Sequence, residues 1–185
     1  MPTTTDRAAA VRRAMCSVVA DRGLHDASMA TVAAAAGVAT GTAYVHYPSK
    51  EDLILATYVE VKHTLGRAAT ADIDAGLSVA EQFAQLWRGV YDHLSTHPDQ
   101  ARFLLQIDSS PLAGPAHEQA MASDDDPLSA VVAAPDMAEQ LVDLPPAVLY
   151  DLAIGPVVRL VAAGVELADD ELDTLCGACW RAVTG

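Results

Sequence analysis

The chain has 185 residues, 51% of them apolar but only 5% aromatic, and carries a formal charge of −14. That length holds one ordinary domain, or a small domain joined to a larger one, with a sizeable core. No apolar run approaches the length of a membrane span and MPTTTDRAAAVRR lacks the apolar core of a secretion signal, so a cytoplasmic protein with no membrane partner is expected. Ala, Leu and Val recur in long periodic runs, with no alternating stretch bounded by turn signals, which predicts an all-α chain. The acidity at first argues against a nucleic-acid partner. Up to Lys62, however, six Lys/Arg balance six Asp/Glu, and the remainder carries five against nineteen. The excess acid therefore lies outside the N-terminal segment.

A first helix is predicted over Asp6 to Arg22, with Val11, Met15, Val18 and Val19 on one face and Gly23 as its stop. The stretch Ser28 to Lys50 then gives two short helices about four residues apart, a helix-turn-helix pattern. Ser28 and Thr40 are expected to cap them, each through a side-chain oxygen. Gly37 supplies the left-handed conformation that ends the first, and Val38 can plug the angle between them. Pro48 ends the second after barely two turns. So short a helix would not stand alone. It suits a probe held out by others, with Thr40, Gly41, Thr42, Tyr44 and His46 as its exposed groups.

The string AGVATGTAYVHYPSKEDLI resembles the N-terminal signature of TetR-family transcriptional regulators: an alanine-glycine turn, a short recognition helix with a central Tyr, then Ser-Lys-Glu and a Leu in the next helix. The resemblance covers roughly Arg7 to Leu55. It implies a three-helix DNA-binding head at residues 1–49 on a larger helical body at 50–185, which binds a ligand and dimerises. It also implies that Thr40, Thr42, Tyr44 and His46 face double-stranded DNA, that Gly41 permits close approach, and that Lys50 reaches a phosphate. Ser28 and Thr40 would bring helix N-termini toward phosphates. Arg7, Arg12 and Arg13 lie where family members often touch the DNA backbone, and Tyr47 resembles the aromatic that packs under the recognition helix. Val45 and Ala30 depart from the large side chains that many members carry, which leaves part of the specificity to DNA shape.

Ser49 with Asp52, and Ser78 with Glu81, have capping-box spacing. They open helices from Lys50 to about Ala69 and from Val79 to Thr96, and any signal between head and body is expected to pass along the first. A helix follows over Asp99 to Gln106. Ser, Pro, Gly and Asp between Asp108 and Asp126 predict a loop with at most one helical turn. Pro135 to Val142 is a short helix. Pro145 or Pro146 opens another to about Ala163, kinked at Gly155-Pro156, and Asp169 to Val183 is the last.

The resemblance makes the last two helices a dimer interface through Leu149, Leu152, Leu160, Leu172, Leu175, Cys179 and Trp180; completion of a monomer core is the alternative. A helix-turn-helix dimer presents its recognition helices about 34–36 Å apart, so the DNA partner is expected to be an inverted-repeat operator. The resemblance also implies an unknown small-molecule effector, with Trp87, Tyr91, Phe103 and Pro156 as candidate pocket walls; the acidic body favours a cationic or neutral one. Cys176 and Cys179 have redox-motif spacing but fall inside a helix, where packing is expected. His93 and His97 have the spacing of a metal pair, yet His97 ends a helix beside Pro98. No catalytic set, metal site or cofactor is called for. The expectation is a DNA-binding repressor released by its effector, and the alternatives are a helical ligand carrier or an adaptor with an idle head.

Overall fold

A computed structural model describes residues 4–122 and 126–184, which form helices and no strand. The head is α1 (Thr4–Arg22), α2 (Met29–Ala35) and α3 (Thr40–His46). Val11, Met15 and Val19 of α1 are fully buried, and α1 ends at Gly23, whose φ of +84° suits glycine. Ser28 Oγ accepts from Thr31 N at 3.1 Å and so caps α2. Gly37, at φ +68°, and Val38 donate to Ala34 O and Ala33 O at 3.1 and 3.0 Å, a Schellman closure. The expected cap at Thr40 is corrected. Ala39, extended and without a side-chain acceptor, is the N-cap of α3, because its carbonyl already accepts from Thr42 N at 2.9 Å. Thr40 is instead the first helical residue, exposed to solvent.

The long helix α4 (Lys50–Thr70) starts at Ser49, whose Oγ accepts from Asp52 N at 3.0 Å. Helix α5 (Val79–Thr96) opens on a complete capping box between Ser78 and Glu81, and buries Phe83, Leu86, Trp87, Val90 and Leu94. The two helices cross so closely that a Cβ on Gly89 would lie 2.8 Å from Ala69 Cα. Helix α6 (Pro98–Asp108) packs on α1 as well as on α11, so the body touches the head through two helices. The expectation that any signal between them has to pass along α4 is therefore corrected, since α6 offers a second route.

Three further departures shape the body. The segment expected to be loop contains α7 (Ala113–Met121), and α8 (Pro127–Val132) follows directly after it, both packed on α4. Ala116 and Ala120 are buried, so tertiary packing overrides a loop-like composition. Residues 123–125 of that stretch lie outside the described residues. Helix α9 (Pro135–Ala138) stops short of Val142, whose amide instead donates to Val183 O at 2.8 Å. The expected kink is a full break between α10 (Pro146–Ala153) and α11 (Gly155–Ala162), because Pro156 has no N–H to donate to Leu152 O. The carbonyl of Ala153, freed at the end of α10, accepts from Trp87 Nε1 at 3.1 Å. Helix α12 (Asp169–Thr184) then lies against α5 and α10.

Candidate nucleic-acid interface and body cavity

The seven residues of α3 bury only Ala43, so nearly the whole helix surface is available. Thr40 and Gly41 are exposed and Tyr44 is half-exposed, while Thr42 and His46 are partly covered. Val45 is 80% exposed, a large apolar side chain with no packing role. The sequence marked it only as a departure, although its place one residue beyond Tyr44 puts it on the same open surface. Tyr47 is buried, as its resemblance implied, and its hydroxyl accepts from Arg12 Nη1 and donates to Ala8 O. Arg12 also pairs with Glu60 of α4. Of the three N-terminal arginines, Arg12 is thus a brace within the head, whereas Arg7 and Arg13 are exposed.

Lys50 is held as well. Its Nζ donates to Leu24 O at 2.7 Å, and the Leu24 amide donates to Gln106 Oε1 of α6 at 3.4 Å. The turn after α1 is thereby clamped from both sides, by the first residue of α4 and the last turn of α6. These groups line an open cleft of about 900 Å3 between head and body, with His25 and Arg102 on its walls.

A second, more enclosed cavity of about 370 Å3 lies inside the body. Its wall is mostly apolar, from Phe83, Leu86, Leu128, Met137, Ile154 and Val183 among others, with Lys62, His117, Asp126 and Tyr150 at a polar end. None of Trp87, Tyr91, Phe103 and Pro156 is among its lining residues. Trp87 and Phe103 are buried core, and Tyr91 stacks on Trp87. The cavity depends on α7, α8 and the segment after α9, which the sequence left as loop or misplaced, so no periodicity in α5 could reveal it.

At the polar end, Lys62 Nζ sits 3.4 Å over the Tyr150 ring. Burial lowers its pKa to about 8, against the opposing pull of Asp126, Asp108 and Asp151. Asp108 Oδ1 accepts from Tyr58 Oη at 3.1 Å and lies 3.1 Å from His117 Nε2. Burial raises both tyrosine pKa values above the usual range, so both hydroxyls keep their protons. The Tyr150 hydroxyl is buried and has no hydrogen-bond partner among the described residues.

In the expected interface set, Leu172 and Cys179 are buried within the chain itself, and Trp180 packs on Phe83 with ring centroids 5.0 Å apart. Leu149 lines the cavity. Leu160 and Leu175 are partly covered, whereas Leu152 and, one turn before it on α10, Val148 remain open at 37% and 40% exposure. Cys176 and Cys179 are free thiols, and burial raises both, Cys176 to about 11, so neither has the lowered pKa of a redox nucleophile. His93 bonds Gln100 at 3.0 Å, and His97 Nδ1 lies 3.0 Å from His93 O, which gives each ring a partner. Among the described residues no helix is long and apolar enough to cross a membrane.

Comparisons with known proteins agree with this architecture. Residues 13–57 match the family model described as bacterial regulatory proteins, tetR family, and residues 78–184 match a tetracyclin repressor-like C-terminal domain. An uncharacterized HTH-type transcriptional regulator of Haemophilus influenzae is 29% identical over 107 residues, 58% of this chain. The matched part spans 57% of that relative's length. A crystal structure of a TetR-family transcriptional regulator from the same organism superposes with a TM-score of 0.77 at 24% identity, covering 98% of each chain. One of a TetR-family regulator from Shewanella gives 0.81 at 23% identity, over 97% of this chain and 98% of the other. With the second family model spanning more than half of the chain, the protein belongs to the TetR family and is a helix-turn-helix transcriptional regulator, not an enzyme.

Proposed function

We propose that the protein is a repressor that binds an inverted-repeat operator as a homodimer and is released by a small molecule held in the body cavity. The observation that carries the release is a shared turn. Asp108, which joins the polar end of the cavity through His117, and Gln106, which holds the Leu24 amide of the head, both belong to the last turn of α6. A ligand that repositions this turn changes how the head is held. Helix α4 adds a parallel link, with Lys62 in the cavity and Lys50 on Leu24. The ligand displaces DNA only as far as it binds the released arrangement better than the DNA-bound one.

On the DNA side, Thr40, Gly41, Thr42, Tyr44 and His46 form the reading surface. Val45 adds an apolar group suited to a thymine methyl. Lys50 already donates to the Leu24 carbonyl, so its part in DNA binding runs through the set of the head as well as through charge. The open Val148 and Leu152 on α10, together with the partly covered Leu160 and Leu175, would form the surface on which a second copy packs.

The test joins assembly to release. Sedimentation of the wild type with a duplex carrying a selected site should give two chains per half-site pair, and Leu152→Glu should lower both self-association and DNA affinity. Gln106→Ala should retain compounds that bind the body but lose their effect on DNA. A wild-type monomer that binds DNA as tightly as Leu152→Glu would remove the dimer, and body ligands that never alter DNA affinity would remove the release.

A further inference from the structure

The polar end of the body cavity holds a buried ammonium and a buried hydroxyl, the latter without a hydrogen-bond partner among the described residues. Asp108 Oδ1 already meets Tyr58 and His117, and Asp126 Oδ1 accepts from Leu128 N at 3.2 Å. Beside these acceptors stand the Lys62 ammonium, only 7% exposed and seated on a ring face, and the Tyr150 hydroxyl, buried with no hydrogen-bond partner among the described residues. A lysine brings three N–H donors and a phenol one. Buried donors left unfilled are costly, and a ligand that accepts from them recovers that cost. The rest of the wall is apolar and has no other use for a polar group.

We propose that the cavity takes an apolar molecule ending in a carboxylate, with the carboxylate bridging Lys62 Nζ and Tyr150 Oη and the apolar part lying among Phe83, Leu86, Leu128, Met137 and Ile154. This reverses the charge preference drawn from the acidic composition, because the buried ammonium and the unpartnered hydroxyl at the polar end both donate, although Asp126 also lines it. The ionisable groups that do face the polar end are Lys62, His117, Asp126 and Tyr150, with Asp108, Tyr58 and Asp151 behind them. Within that set the Tyr150 hydroxyl is the buried group without a hydrogen-bond partner among the described residues, and the Lys62 ammonium lies over the same ring. A cationic head would meet the Lys62 ammonium, and a neutral alcohol would accept from one donor without spanning both.

The assignment of a ligand class rests on the cavity being the effector site, and the test separates the two. Calorimetric titration of the full chain with sodium octanoate, 1-octanol and octylamine compares three heads on one tail. Octanoate is expected to bind about tenfold tighter than either of the others, the scale of one charge-assisted hydrogen bond. Lys62→Met should bring octanoate down to the level of octanol and leave octanol unchanged. Tyr150→Phe, which removes only an unpartnered hydroxyl and should fold normally, should weaken octanoate several-fold. Octanol or octylamine binding as tightly as octanoate would overturn the carboxylate and leave the cavity as a ligand site. Binding of octanoate that Leu86→Trp, which fills the cavity, does not reduce would place it elsewhere and overturn both. Absence of binding by all three would do the same.

Discussion

The Lys50 ammonium donates to the carbonyl oxygen of Leu24 over 2.7 Å, so the lysine that opens α4 also holds the turn that ends α1. A residue whose family resemblance implies a phosphate contact is thus also a strut of the head. Lys50→Ala should weaken binding to specific and random duplexes alike and should cost about 1 kcal/mol of stability. Amide hydrogen exchange around Leu24 should quicken in the variant. Loss of DNA binding with unchanged exchange would leave Lys50 with a phosphate role alone.

Thr42 lies in the middle of α3, partly covered, two and three residues before the exposed Tyr44 and Val45. Thr42→Ala should alter which bases are preferred, by about 1–3 kcal/mol at one or two positions of each half-site. Comparing affinities across single-base variants of the site measures this. Equal losses on every duplex would take Thr42 out of the specificity set.

The crossing of α4 and α5 is set by Gly89, where a Cβ would stand 2.8 Å from Ala69 Cα and 3.0 Å from Ala69 O. The obstruction is backbone and cannot rotate away. Gly89→Ala should cost about 1–3 kcal/mol from overpacking, against about 1 kcal/mol recovered in helix propensity. Urea denaturation gives the balance, and a variant more stable than the wild type would show that the helices separate freely.

Burial places the folded-state pKa of Lys62 at about 8, below the ordinary lysine value of 10.5. Between these values the unfolded chain holds the extra proton, so this group makes stability rise with pH across that window. Below about pH 8 both states are protonated and the full cost of burying the charge is present. Relative to Lys62→Met, which lacks the group, the wild type should therefore gain on the order of 2 kcal/mol between about pH 7.5 and 10. A gap between the two proteins that does not change with pH would mean that Lys62 is solvated.

The head was legible because its signals are local. Ser28, Gly37, Ser49 and Pro48 act within one turn of where they stand, and the misplaced cap of α3 is a matter of one residue. The body was legible where the apolar spacing is long, as in α5 and α12, and illegible where a short helix exists only because something packs on it. Ala113 to Met121 contains Gly114 and Pro115, and nothing in its own sequence says that Ala116 and Ala120 will be buried. The cavity is built from such segments, so its wall could not be named in advance. The buried state of Lys62 was equally hidden, since a lysine in a helix is ordinarily a solvated one.

The central claim is that this chain reads a two-fold DNA site. The most direct test is selection of bound sequences from a random duplex pool, followed by affinity for the enriched sequence at two salt concentrations. An inverted repeat should emerge, with half-site centres about one helical turn of DNA apart or a multiple of it, and binding should weaken as salt rises. Enrichment of a single unrepeated half-site, or no enrichment at low salt, would contradict it.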